Sequence, residues 1–375
     1  MFGAALFRVS SSNDNRDGPA VPEPRKLGVS AQIDRQTFRI RFRERFYDPA
    51  FDGSRAQIEA LADIAWDAYQ EGRKAPRTRA AGPEFENPEY QLSVQWLQTR
   101  DEIRNAQRLH EDKNGPARIL LISSAARHEQ TCPGEVSKSY RLCQQAEQTL
   151  VSERASVDLL DLSHLTAEYG RVIYPCKACV STAMPLCHWP CSCYPNHALG
   201  QVNDWMGEIY PRWVAAHGVM IVTPVYWYQA PSPLKLMMDR LVCADGGNPD
   251  PTRTDGKNAS KAKAIELQGW DYPRHLKGRA FATVVHGDAA GAETLRRNLH
   301  DWLCDMELVP AGGDANIDRY IGYYEPYATS HDALDKDEAI QQEVRNAARL
   351  LLKMVARVRA AGPLEEDGGR DPRPK

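Results

Sequence analysis

Beyond the break at Asn114-Gly115-Pro116, short apolar runs alternate with longer stretches in which apolar residues recur every three or four positions. A parallel sheet accommodates that alternation, because each connection between parallel strands must be long enough to carry a crossover helix. Five strands are expected, at residues 119–123, 157–162, 219–224 and 280–286 and, with poorly defined limits, 308–317. Helices are expected over 138–152, 202–217, 233–242, 292–306 and 336–359, the last with Ile340, Val344, Ala348, Leu351 and Val355 on one face. Right-handed βαβ units would then stack as a three-layer α/β sandwich over residues 113–361.

The chain before that break follows different patterns. Residues 1–34 are mostly Ser, Asn, Asp, Gly, Pro and Arg and, like the polar, charged 362–375, are expected to be disordered tails. Residues 35–112 form an N-terminal extension, read as a short strand and two helices. The strand is expected over 37–46, where Phe38, Ile40 and Phe42 alternate with Arg39, Arg41 and Arg43. Its basic ridge is either a solvated strand face or an anion site. Ser54 and Gln57 make a capping box ahead of Ile58, Leu61, Ala62, Ala65 and Tyr69, and Asn87-Pro88 starts a second helix through Leu92, Trp96 and Ile103 to about His110. The apolar faces of both must be covered by the main domain or across an oligomer interface. No internal repeat is visible.

Composition narrows the function. The 375 residues are 42% hydrophobic and 26% charged, and 47 Lys and Arg against 50 Asp and Glu leave a net charge of -3. No general basic field exists to attract nucleic acid, so no nucleic-acid partner is expected. No run approaches the roughly 18 apolar residues of a membrane span, and the apolar stretch from Phe2 to Phe7 is too short for a secretory leader, so a cytoplasmic protein with no membrane partner is expected. Nine Cys, five of them between Cys176 and Cys193, argue against a disulfide framework and leave metal, redox chemistry or packing to explain the cluster.

In an open parallel sheet the ligand lies beyond the carboxyl ends of the strands. After the first strand comes Ser123-Ser124-Ala125-Ala126-Arg127, then Thr131-Cys132-Pro133-Gly134 and Ser137-Lys138-Ser139 at a helix start. Hydroxyls, backbone N–H groups, a helix dipole and two cations suit a phosphate monoester, although Ser137 could also be an ordinary N-cap. The segment is not a P-loop, since it has no Gly-Lys-Ser or Gly-Lys-Thr. After the third strand, Pro224-Val225-Tyr226-Trp227-Tyr228-Gln229 offers a stiffened backbone and aromatic surface to a flat ring. The same aromatics could be core anchors or an oligomer contact. After the fourth strand, the small residues of His286-Gly287-Asp288-Ala289-Ala290-Gly291 allow close backbone approach to a ligand. His286 could be a ligand partner or a satisfied structural residue.

The run Pro224-Val225-Tyr226-Trp227, with Ser232-Pro233-Leu234-Lys235 and Asp239-Arg240 behind it, resembles the signature of the NAD(P)H-dependent FMN reductases of the flavodoxin-like superfamily. The resemblance covers roughly residues 118–360. It implies a flavodoxin-like fold, FMN as cofactor and NADPH or NADH as co-substrate. It also implies hydride transfer to a quinone, free flavin or similar small-molecule acceptor. The phosphate would rest on Ser124, Arg127, Ser137, Lys138 and Ser139, and the ring on Pro224, Val225, Tyr226, Trp227, Tyr228 and Gln229. The flavin would be closed in by His286, Gly287, Asp288, Ala289 and Gly291, and no catalytic side chain is required. A homodimer or homotetramer is expected, since the flavin site in this family is usually completed by a second subunit. The alternative is a flavodoxin-type electron carrier, with or without an iron-sulfur cluster, that turns over no substrate of its own, although such carriers are usually strongly acidic. A receiver-type signalling domain would need paired acids and a phospho-accepting Asp where Ser123-Ser124 and Thr223-Pro224 stand.

The cysteines Cys176, Cys179, Cys187, Cys191 and Cys193, interleaved with His188 and His197, occupy the place where the related iron-sulfur flavoproteins carry a cluster motif. Here seven residues separate Cys179 from Cys187, unlike the compact motif. Reduced thiols, an iron-sulfur cluster and zinc all stay open at this point. The segment 243–278 resembles a lid, with Trp270 and Tyr272 over the site or a neighbouring subunit, or else an ordered surface loop.

Overall fold

A computed structural model describes residues 33–70, 77–128, 136–194, 204–323 and 325–361. The expected tails, apart from Ile33 and Asp34, fall outside these residues, as do Thr131, Cys132, Pro133, Gly134 and His197.

The extension opens with a helix, not the expected strand. Helix α1 (Arg35–Arg43) is capped by the Asp34 side chain, which accepts from Thr37 N–H at 2.8 Å. The sequence Phe38, Phe42, Phe46 fits a four-residue spacing as well as an alternation, and burial decides between them. The three rings form a ladder, with Phe38 also against Trp66 and Tyr69, whereas Ile40 stays 47% exposed. The expected basic ridge is spent within the hairpin, where Arg39 and Arg43 pair with Glu59 of α2 (Arg55–Gln70). A 3-10 turn at Pro49–Ser54, capped by Asp48, runs straight into α2, so the helical winding starts ahead of the expected capping box at Ser54. Leu61, read as part of the apolar face, is 51% exposed, and Ala68 is buried instead.

A two-stranded antiparallel ribbon, β1 (Thr78–Ala80) and β2 (Gln91–Ser93), precedes α3 (Val94–Glu111). The helix therefore begins at Ser93, whose hydroxyl accepts from Trp96 N–H, and not at Asn87-Pro88, which forms the turn of the ribbon. Ile103 and Ala106 of α3 enter the core that covers one face of the main sheet, beside Ile209 and Trp213.

That sheet comprises β3 (Arg118–Ser123), β4 (Ser156–Asp161), β5 (Gly218–Pro224), β6 (Ala280–Gly287), β7 (Val309–Pro310) and β8 (Asn316–Tyr320), all parallel. The order is β4-β3-β5-β6, with β7 and β8 sharing the edge beside β6. Second-first-third-fourth-fifth is the flavodoxin-like doubly wound order, whose switch point lies between β3 and β5. The expected fifth strand is split, because Gly312 and Gly313 open a 3-10 turn between β7 and β8.

The strands read as apolar runs because both faces are covered. Leu120, Ile122, Val219, Ile221 and Phe281 face α6 (Met206–Ala215), α7 (Ser232–Arg240) and α9 (Ala292–Asp305). Ile119, Leu121, Met220, Val222 and Ala282 face α4 (Lys138–Ser152) and α11 (Glu338–Ala361). Of three further helices, α5 (His164–Ala167) sets Leu165 against the first of these cores, α10 (Tyr327–Lys336) sets Leu334 into the second, and α8 (Ala259–Leu267) packs apart from both through Ala262 against Ala183 and Leu186. Among the described residues no helix is long and apolar enough to cross a membrane.

Helix α11 crosses β5 at Gly218. A Cβ there would sit 2.7 Å from Val355 Cγ2 and 3.1 Å from both Ile119 Cδ1 and Leu351 Cδ1. Gly218→Ala is expected to lower the unfolding free energy by about 1–3 kcal/mol through overpacking, read as a shift in urea midpoint. An unchanged midpoint would show that α11 has room to move.

Two stacked imidazoles join α3 to the sheet. His217 accepts from Arg118 N–H at Nδ1 (2.9 Å) and donates from Nε2 to His110 O (2.9 Å), and His110 donates from Nδ1 to Ala216 O (2.9 Å). Burial, reinforced by the Arg279 charge, pushes His110 down to about 3, and burial also lowers His217. The folded state therefore holds neutral rings and the unfolded chain binds protons first. This stabilisation is complete above the ordinary value of 6.5 and is lost as pH falls toward 3. Urea midpoints measured from pH 7.5 to 4.5 should fall more steeply for the wild type than for His110→Gln; parallel curves would contradict the assignment.

Candidate active site

Three loops meet at the carboxyl end of the sheet. Pro224 lies opposite His286 in register, and Val225 N–H extends the pairing to His286 O at 2.8 Å. His286 Nε2 lies 2.8 Å from Ser139 Oγ, and Lys138 Nζ lies 3.1 Å from Asp288 Oδ1 and 3.2 Å from Ile321 O, so the loop after β6 is tied to the start of α4. The Tyr226 hydroxyl meets the Ala126 backbone and the Arg127 charge, although burial dominates and pushes its pKa up. Each loop thus contacts the other two.

The floor of this cradle is polar and buried: Ser124, Lys138, Ser139 and His286 are all under a tenth exposed. Burial pushes His286 down to about 3, the Lys138 charge adding to the effect, so the ring is neutral at ordinary pH. It braces Ser139. Lys138 likewise spans two loops. Among the described residues Ser124 Oγ is buried without a hydrogen-bond partner, a state that costs roughly 1–3 kcal/mol unless an incoming polar group satisfies it.

The rim is aromatic. Tyr226 and Gln229 exchange backbone hydrogen bonds of 2.9 and 3.0 Å across a two-residue turn, with Trp227 and Tyr228 at φ +48° and +66°. Such a turn is ordinarily built from Asn and Gly, so two aromatic residues there hold backbone strain of about 1–3 kcal/mol each. Both rings lie outward: Trp227 is 95% exposed and Tyr228 60%. They are not core anchors.

Gly291, at φ +94°, passes beneath this turn, and a Cβ there would lie 2.9 Å from Tyr228 Cα; one at Gly287 would lie 2.6 Å from Val225 Cγ1. Asp288 and Ala289 are exposed on the same rim.

Arg127 and Ser137 line a pocket of about 370 Å³ with His128, Tyr140, Asp161 and His164. Ser137 is the N-cap of α4, its hydroxyl accepting from Tyr140 N–H at 3.2 Å. Tyr140, Asp161 and His164 were not expected in the site. Tyr140 follows Ser-Lys-Ser directly, and Asp161 ends the neighbouring strand, so their positions carried the signal. A cleft of about 710 Å³ between β8 and α11 is lined largely by charged residues, including Arg319 and Glu343 at 2.6 Å, and shares no residue with the cradle. The cradle, with an unsatisfied buried hydroxyl, a helix N-terminus, small residues on one wall and flat rings on another, fits a phosphorylated planar ligand such as FMN.

The cysteines gather elsewhere. Cys176, Cys179, Cys187, Cys191 and Cys193, joined by Cys243, line a pocket whose open volume is about 10 Å³, roughly one water. Among the described residues no three His, Cys, Asp or Glu side chains are placed to hold a metal ion. His188 is engaged with Ser192 Oγ (2.6 Å) and Thr254 Oγ1 (3.0 Å).

The long segment 243–278 folds over this cysteine loop: Trp189 N–H donates to Asn248 O, and Trp189 stacks on His275 with ring centroids 5.0 Å apart. Trp270 Nε1 donates to Gly246 O, within the segment itself. Arg240, from the Asp-Arg signature, is buried against Asp204 and donates to Tyr174 O at 2.8 Å. It anchors the cysteine loop to α7.

The chain is 31% identical over 113 residues to an iron-sulfur flavoprotein of Methanocaldococcus jannaschii, a match that covers 30% of this chain and spans 45% of that relative's length. Among solved structures, RosB with bound 8-demethyl-8-formylriboflavin-5'-phosphate shares 13% identity at a TM-score of 0.41, over 69% of this chain and 96% of that one. An NADH:FMN oxidoreductase shares 14% at 0.35, over 67% and 92%. The family model described as NADPH-dependent FMN reductase matches residues 117–320, from the first main-sheet strand to the last and more than half of the chain. The protein belongs to the NADPH-dependent FMN reductase family.

Proposed function

We propose that this flavin oxidoreductase uses FMN held in the strand-end cradle to pass electrons from NADPH or NADH to a quinone, free flavin or similar small acceptor. The observation that carries the reading is the meeting of three loops around a buried polar floor and an exposed aromatic rim. Bound flavin supplies the two-electron chemistry, and the protein's part is position and polarity.

Ser124 Oγ, Ser137, Arg127 and the first turn of α4 would hold the phosphate. Residues Pro224 to Gln229 would lie along the ring, with Gly287, Asp288, Ala289 and Gly291 on its other side. Lys138 and His286 act one step back. Lys138 spans Asp288 and the Ile321 carbonyl, and His286 orients Ser139. The neutral His286 brings no positive charge to the floor, so the cations near the phosphate are Arg127 and Lys138.

The same reading takes the bare ring of Trp227 as the place where a second copy completes the site, giving a homodimer or homotetramer.

On anaerobic mixing of the FMN-loaded protein with NADPH or NADH, the visible flavin band should bleach and return when a quinone is added. A bound flavin that neither nucleotide reduces would leave an electron carrier instead. Gly291→Val, which drives a side chain into the Tyr228 backbone, should weaken FMN binding at least tenfold, about 1.4 kcal/mol. Unchanged affinity in that variant would move the flavin away from the loop after β6. Light scattering of the FMN-loaded protein should give a dimer or tetramer, and a monomer would contradict the shared site.

A further inference from the structure

Two of the six thiols around the small pocket are in contact. Cys179 Sγ and Cys193 Sγ are 3.5 Å apart, and a disulfide requires about 2.05 Å, so a side-chain movement of roughly 1.5 Å would join them. The two residues sit on opposite ends of a loop whose middle is pinned by Trp189 and His188, which keeps the pair in register. Cys179 is partly exposed and Cys193 is buried. An oxidant therefore reaches Cys179 first, with Cys193 behind it.

The surroundings distinguish Cys179 from its neighbours. Lys257, held by a 2.8 Å hydrogen bond to Leu186 O, brings its Nζ to 3.6 Å from Cys179 Sγ. Cys179 is pulled down to about 6, first by the hydrogen bond from Cys193 and then by the Lys257 charge, against burial and the Cys191 sulfur. Cys176, Cys187 and Cys243 are pushed up by burial, and Cys191 by its contact with Cys193 and then by burial. Cys179 thus has Cys193 on one side and the Lys257 ammonium on the other, and is itself partly exposed.

We propose that Cys179 and Cys193 form a reactive dithiol that reduces hydroperoxides and closes to a disulfide, a second redox centre separate from the flavin cradle. The Cys179 thiolate attacks the terminal peroxide oxygen; the O–O bond breaks, a sulfenic acid forms, and the departing alkoxide takes a proton to leave as an alcohol, or as water from hydrogen peroxide. Cys193 sulfur then attacks the Cys179 sulfur; the S–S bond forms, the S–O bond breaks, and the hydroxide leaves as water with the Cys193 proton. Two thiols are oxidised by two electrons and one peroxide is reduced by two. Two equivalents of a small thiol reopen the bridge, departing as their own disulfide.

The test uses the full chain, reduced, desalted and exposed to one equivalent of hydrogen peroxide, with intact mass and peptide mapping as readouts. The wild type should lose two hydrogen masses and yield a Cys179–Cys193 cross-linked peptide. Cys193→Ser should stop at a Cys179 sulfenic acid that dimedone traps, and Cys179→Ser should consume peroxide at least about tenfold more slowly. Lys257→Met should slow the wild-type reaction while keeping the same cross-link. The proposal is overturned if the wild type forms no peroxide-dependent cross-link, or if the cross-link maps to another pair. It is also overturned if anaerobically prepared protein carries iron or zinc that shields these cysteines from alkylation. The wild-type peptide map decides the question even where a variant fails to fold.

Discussion

The candidate site depends on β5 and β6 ending together. Because Pro224 stands opposite His286 and Val225 N–H continues the pairing to His286 O, the aromatic turn and the glycine loop leave the sheet side by side. A one-residue slip in this register would exchange the faces of every side chain in β6 and separate His286 from Ser139. The loops are thus joined by backbone pairing, one imidazole-hydroxyl contact and one lysine bridge. That is a rigid base on which two strained aromatic residues can be held outward.

Most of the main domain was readable from residue order because its strands are buried on both faces and its helices are strongly one-sided. The face of α11, from Ile340 to Val355, is buried as spaced. The errors have a common cause. Phe38, Phe42 and Phe46 satisfy two periodicities, and only tertiary partners, Trp66, Tyr69 and Glu59, decide for the helix. Asn87-Pro88 carries a start signal that a short ribbon uses as its turn, and Gly312-Gly313 cuts a strand whose two halves still pair with β6. Local signals set the local turn, and distant contacts set what it joins.

The candidate site shows the same division. Ser124, Pro224 and Gly291 were legible as ligand positions because they follow strands in an open sheet. The supporting roles of His286 and Lys138 were not, since their partners lie 147 and 150 residues away. The cysteine loop reverses the pattern: its residues drew attention by spacing, while its character rests on Lys257 and Arg240, which no spacing connects to it.

The account stands on the claim that one phosphorylated ring occupies the ends of β3, β5 and β6. Hydrogen–deuterium exchange of the full chain with and without saturating FMN tests it most directly. Slower exchange is predicted at residues 123–128, 224–230 and 286–292 and at the first turn of α4, with the cysteine loop unchanged. Protection confined to other segments, or none at saturating FMN, would contradict it.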